Sequence, residues 1–201
     1  MMRATLVPAM QPTLAQVLWP SDRALRHAVL VAIGSVLLTF SAKVQIPFWP
    51  VPMTMQTYVV LVLGMAYGTR LGVATVLFYL AQGALGLPVL AGTPERGIGF
   101  AYMVGPTGGY LVGFVLAASL AGALAARGWD RSFAWMLLAM ALAHVVIFVP
   151  GVAWLATTVG WERALAVGVV PFIGATVAKT LLGVLTLPLA WRLLGRRDRR
   201  G

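Results

Sequence analysis

The chain has 201 residues, 60% of them hydrophobic and only 10% charged, with a net charge of +10. A soluble domain carries about a quarter charged residues, so this composition describes an integral membrane protein short enough to be one domain. The arginines sit at the ends of apolar runs, where orienting charges belong, which argues against nucleic-acid binding; the absence of Cys excludes disulfides and thiol chemistry.

Residues 1–22 lack a continuous apolar core, so they read as a cytoplasmic tail, amphipathic and lying on the membrane, and not as a cleaved signal peptide. The first span is predicted at about 24–41. The run KVQIPFWPVPM (43–53) holds three prolines and cannot be a helix interior, yet it is apolar and aromatic. A short second span (54–67) turns at Gly68, Thr69 and Arg70 into a third (71–87). The stretch 88–110 is too rich in Gly and Pro for one helix. A fourth span follows at about 107–126 and a fifth at 133–159, with Pro150 as a kink. Residues 164–170 read as a short interfacial piece, and the sixth span starts at Pro171. The membrane domain is thus 23–194, and 195–201 is a basic cytoplasmic tail.

Six spans put both termini on one side. That side collects Arg3, Arg23, Arg26, Arg70, Arg127, Arg131, Arg192 and the arginines of RRDRR, whereas the other holds only Lys43, Arg96 and Arg163. The asymmetry predicts cytoplasmic termini. The outer face then receives the 43–53 and 88–106 loops and the 159–170 connection. Irregular apolar backbone near membrane depth needs protein or a cavity to solvate it. The expected fold is therefore an all-α bundle of six transmembrane helices with an outward-facing ligand cavity and two loop lids.

Lys179 is the single charge deep inside a span. Such a lysine costs at least ~2.5 kcal/mol. Counting up from Trp191 at 1.5 Å per residue places it ~18 Å higher, past the middle of a ~30 Å core. Asp22, Glu95, Asp130, Glu162 and Asp198 all fall outside the spans, so no internal acid is at hand. Two readings stand: Lys179 faces the cavity and binds an anion such as a carboxylate, or it bonds backbone carbonyls or a tyrosine. Thr54, Gln56, Thr57, Tyr79, Gln82, Thr107, Tyr110 and Thr176 would share its half of the membrane, with Phe48 and Trp49 nearby. Such a cavity suits a small molecule with an anionic end, an apolar middle and a hydrogen-bonding head; for any one residue an interhelical bond is an equal reading. His144, in the fifth span, reads as a satisfied neutral group. With no His/Cys/Glu cluster a metal site is not expected. No Ser-His-acid set and no phosphate-binding GxxxxGK[ST] loop is present, so no enzyme chemistry or intrinsic ATP hydrolysis is expected.

Two ladders of small residues concern packing. Gly105, Gly109, Gly113, Ala117, Ala121 and Ala125 line the fourth span, which is expected inside the bundle. Ala24, Ala28 and Ala32 line the first, as an internal seam or as a surface where another membrane subunit docks.

The segments IPFWPVPMTMQT (46–57), GLPVLAG (86–92), GPTGGYLVGF (105–114) and PF (171–172) with Lys179 resemble BioY, the biotin-binding substrate-specificity subunits of energy-coupling factor (ECF) transporters. They follow the family's order. The resemblance implies a biotin site capped by the loops after the first and third spans. It implies that Lys179 meets the valerate carboxylate and that Ala24, Ala28 and Ala32 contact a transmembrane coupling subunit driven by two cytoplasmic ATPases. It also implies a multi-pass protein of a prokaryotic inner membrane that needs no cofactor; a homo-oligomer is left open. An S subunit for another small carboxylated vitamin is the alternative. Many members place an Asp three residues before the lysine, where this chain has Thr176, so either another group, such as Gln56, Tyr79 or Gln82, reads the ureido ring or the site geometry differs. Arg96 is expected either as a second carboxylate contact or as a solvated loop charge.

Overall fold

The computed structural model describes residues 11–20, 23–46, 50–92 and 98–197, with residues 195–197 described by backbone only. Trp49 and Arg96 lie outside the described residues, as do Phe48, residues 1–10 and 21–22 of the first tail, and residues 198–201 of the last.

The chain is almost wholly helical. Helix α1 (Leu14–Leu18) opens with a capping box in which Thr13 and Gln16 satisfy each other's backbone. Leu14 and Ala15 are buried, and the segment before them is bonded to the bundle: Gln11 N–H donates to the Ala126 carbonyl (3.0 Å) and Arg131 Nη2 to that of Pro12 (3.1 Å). The 11–18 segment is thus anchored to the end of the bundle through Gln11, Pro12, Leu14 and Ala15.

The longer helices are α2 (Ala24–Lys43), α3 (Gln56–Tyr67), α4 (Thr69–Ala84), α6 (Gly108–Ala125), α7 (Phe133–Val159) and α9 (Ile173–Arg197), with short α5 (Phe100–Met103) and α8 (Trp161–Gly168) between them. Four helical stretches are long and apolar enough to cross a membrane: Ala24–Lys43, Gly108–Ala125, Phe133–Val159 and Trp161–Leu194. Helix α3 is apolar but only 12 residues long. Gly68, at φ +79°, lets α3 turn directly into α4 at a backbone angle that a side chain would strain. Pro150 is carried inside α7, and Pro171 sits in the turn before α9.

Helix α6 is the centre, packed on α3, α4 and α7. Its small residues make this possible. A Cβ on Gly113 would stand 2.7 Å from the Ile147 carbonyl oxygen of α7, and Gly64 of α3 is as close to the Ala118 carbonyl of α6. Ala117, Ala121 and Ala125 are buried, so this ladder faces inward as expected. Ala24, Ala28 and Ala32 are exposed on α2, whose buried stripe is Gly34, Ser35, Leu38, Ser41 and Ala42.

The 43–53 stretch is not wholly irregular. Gln45–Ile46 (β1) pairs antiparallel with Met53–Thr54 (β2), in the register Gln45 with Thr54 and Ile46 with Met53. Among the described residues these are the only strands. Pairing folds the hairpin back so that Val51 and Pro52 are buried at the same end of the bundle as residues 88–92.

Candidate functional site: a lidded cavity around Lys179

The end of the bundle that carries the hairpin and the 88–92 segment encloses a cavity of about 550 Å³, counting its open mouth. Helix α6 and its N-cap supply Thr107, Tyr110, Leu111 and Phe114, a stripe at i, i+3, i+4 and i+7. Helix α9 and the turn before it supply Phe172, Thr176 and Lys179 with the same periodicity. The first turn of α3 adds Gln56 and Thr57, and α7 adds Ile147 and Phe148. The hairpin contributes Val51, Pro52 and Thr54, and Ala91 and Tyr102 come from the stretch between α4 and α6.

Lys179 is 8% exposed, and its ammonium donates to Thr57 Oγ1 at 3.1 Å. No carboxylate is among the described lining residues. A hydroxyl satisfies one of three ammonium protons and none of its charge. The cavity therefore presents a buried cation with its counter-charge missing. Thr107 is 7% exposed, and its hydroxyl has no hydrogen-bond partner among the described residues. It is a second polar group that a bound molecule would complete.

An aromatic wall lines the same cavity. The ring of Tyr110 meets Phe148 edge-on at 6.1 Å, and Phe148 meets Phe172 at 6.3 Å. The Tyr110 hydroxyl donates to the Gly168 carbonyl at the end of α8 (2.8 Å). Expected as a polar contact, Tyr110 thus offers the cavity its ring, because its hydroxyl holds α8 in place.

Seven of the expected residues come together at the cavity: Lys179, Thr176, Thr54, Gln56, Thr57, Thr107 and Tyr110. Two do not. Tyr79 is wholly buried behind Gln56, accepting from Gln56 Nε2 at 2.7 Å and donating to the Val89 carbonyl at 3.0 Å. Gln82 faces α2, where its Oε1 accepts the hydroxyl of Ser35, so it ties two helices together. His144 is also outside the lining: its Nδ1 is 2.8 Å from the Met140 carbonyl, which makes that nitrogen the protonated one, and Thr180 lies at 3.4 Å. Sequence reasoning missed Tyr102, Phe114, Phe148 and Phe172. The spacing Thr107–Tyr110–Leu111–Phe114 carried a signal for Phe114; Tyr102 and Phe148 had none, since apolar residues fill every face of a membrane helix. Among the described residues no cluster of His, Asp or Glu could hold a metal.

The fold is that of a multi-pass helical membrane protein. Residues 10–196 match the BioY family, and the chain belongs to that family. It is 37% identical over 170 residues to a probable biotin transporter BioY of Pyrococcus horikoshii, covering 85% of this chain and 97% of the relative. It is 36% identical over 162 residues to the biotin transporter BioY of Thermotoga maritima, covering 80% and 93%. The crystal structure of the S-component for biotin from an ECF-type ABC transporter superposes with a TM-score of 0.68, covering 84% of this chain and 92% of that one at 21% identity. That likeness establishes the shared fold.

Proposed function

We propose that this chain is a substrate-binding subunit for biotin uptake: it captures biotin from outside and delivers it inward with an ATPase-driven ECF module. It makes and breaks no covalent bond. Six spans carry the cavity toward the outside and both termini toward the cytoplasm of a prokaryotic cell, and the hairpin and the 88–106 segment act as its lids. The observation that carries the reading is the pairing of Lys179, buried without a carboxylate among the described lining residues, with an aromatic wall in a member of the BioY family. The valerate carboxylate supplies the missing counter-charge, the aromatic rings cover the apolar middle, and the remaining hydroxyl and amide groups meet the ureido head. The exposed Ala24, Ala28 and Ala32 of α2 form a smooth face on which a transmembrane coupling subunit packs, itself driven by two ATP-hydrolysing subunits.

The test is uptake of labelled biotin by a biotin-auxotrophic bacterium that lacks its own transporter. The chain co-expressed with a coupling subunit and ATPases is expected to restore uptake, and Lys179→Met to abolish it. Absence of uptake and of binding would overturn the reading. Because Thr176 replaces the family's Asp, a competition series with other carboxylated vitamins belongs in the same assay; a vitamin that displaces biotin at lower concentration would make it the true cargo.

A further inference from the structure

We propose that Tyr79, which never touches the cavity, acts as a positioning residue that fixes the amide of Gln56 so that the cavity receives one acceptor and one donor, the pattern that reads the N–H/C=O edge of a ureido ring. This rests on the assignment of biotin as the ligand.

The direction of the amide follows from proton counting. A tyrosine hydroxyl has one proton. The Val89 carbonyl, 3.0 Å from the Tyr79 hydroxyl, can only accept, so the proton lies there. Towards Gln56, 2.7 Å away, the hydroxyl oxygen is then an acceptor, and only an N–H can face it. A flipped amide would set two oxygens against each other with no proton between them, in a place where both residues are buried. Thr54 supports the same orientation: its hydroxyl donates to Gln56 Oε1 at 3.2 Å and accepts the Gln56 backbone N–H at 3.2 Å. Gln56 has two acceptor lone pairs and two donor hydrogens on its side chain. Thr54 takes one lone pair and Tyr79 one hydrogen. One of each remains, on a residue 4% exposed that lines the cavity.

The placement also fits a two-ended ligand. Gln56 turns toward Tyr79 of α4, whereas the adjacent Thr57 turns toward Lys179 of α9. The first turn of α3 thus separates a hydrogen-bonding flank from a cationic flank. Gln56 adds an amide acceptor to a cavity whose Thr176 offers only a hydroxyl, a weaker acceptor than a carboxylate. Val89 belongs to the second lid region, whose next carbonyl, Leu90, accepts from Lys43 Nζ at 2.8 Å. The amide is therefore held only while that segment is seated.

The experiment measures equilibrium binding of biotin, and of biotin N-methylated at either ureido nitrogen, to the purified parent chain, Tyr79→Phe, Gln56→Leu and the double variant. The parent is expected to prefer biotin over at least one methylated analogue by about tenfold. Tyr79→Phe should weaken biotin by roughly tenfold while hardly changing that analogue, so the preference collapses. Gln56→Leu should do the same, and the double variant should lose nothing further, because the two residues act as one unit. A role in packing alone would weaken both ligands equally; an unchanged ratio in a folded Tyr79→Phe protein, or no preference in the parent, overturns the proposal. If Tyr79→Phe does not fold, Gln56→Glu decides: it keeps acceptors but removes the donor that Tyr79 requires, so parental affinity and ratio in that variant overturn it. A parent that binds no biotin overturns the function itself, whereas parental binding with an unchanged ratio overturns only the role of Tyr79.

Discussion

Lys179→Met is the perturbation with the largest expected effect on ligand and the smallest on folding. Lys179 is 8% exposed, and its ammonium donates to a single hydroxyl, that of Thr57. A charge so placed is poorly compensated, so replacing it with a thioether of similar length should leave the ligand-free protein at least as stable as the parent. With biotin bound, the carboxylate becomes its counter-ion in a water-poor site. Removing one partner of a buried, hydrogen-bonded charge pair costs ~2–5 kcal/mol. At 1.4 kcal/mol per tenfold, that is a loss of roughly 30-fold to several-thousand-fold in affinity. Isothermal titration of the purified protein with biotin and with biotin amide isolates the pair. The parent should bind the amide far more weakly than biotin, and Lys179→Met should bind the two alike. If Lys179→Met retains parental affinity, or keeps the parent's preference for the acid, the carboxylate lies elsewhere and the counter-charge argument is wrong.

Thr107→Val removes a cavity hydroxyl that has no partner among the described residues. It should lower biotin affinity up to about tenfold with an unchanged thermal midpoint, and unchanged affinity would remove Thr107 from the site. Gly113→Leu drives a side chain into the Ile147 carbonyl, which a Cβ alone would approach to 2.7 Å, so it should destabilise the bundle by at least ~1–3 kcal/mol. The neighbouring exposed Val112→Leu should be neutral by the same thermal assay. Asp130, in the turn between α6 and α7, has its carboxyl pushed above the usual carboxylate range by burial, against the pull of the Trp191 N–H (2.6 Å) and of Arg131. Its folded form then holds the proton more tightly than its unfolded form. The stabilisation is present below the free-carboxylate range and lost as pH rises through the folded value. The midpoint of the parent relative to Asp130→Asn should therefore fall as pH rises from acid toward neutral; a difference that grows with pH would contradict the burial argument.

Much of the framework was legible because membrane helices announce themselves by length and by what interrupts them. The glycines of α6 were read as an inward ladder from four-residue spacing, and the fifth predicted span matches α7 at both ends. Lys179 stood out because a lone charge in an apolar run has few structural uses. Other features depend on partners distant in sequence. The hairpin at 45–54 was read as a loop, since three prolines exclude a helix but say nothing of pairing across them. Tyr79 and Gln82 were placed with the ligand groups because helical depth can be counted from sequence, whereas which way a polar side chain turns cannot. One hydroxyl faces Val89 and the amide of Gln82 faces Ser35, and both contacts were set by how α2, α4 and the 88–92 segment pack. The ring of Tyr110 reached the cavity as predicted, with its hydroxyl already committed to Gly168.

The central claim, that the lidded cavity around Lys179 takes up biotin, is tested most directly by equilibrium binding of labelled biotin to the purified chain in lipid nanodiscs, without partner subunits. Saturable binding of one biotin per chain, displaced by unlabelled biotin and only weakly by biotin amide, is the expected result; no saturable binding, or equal displacement by acid and amide, would contradict it.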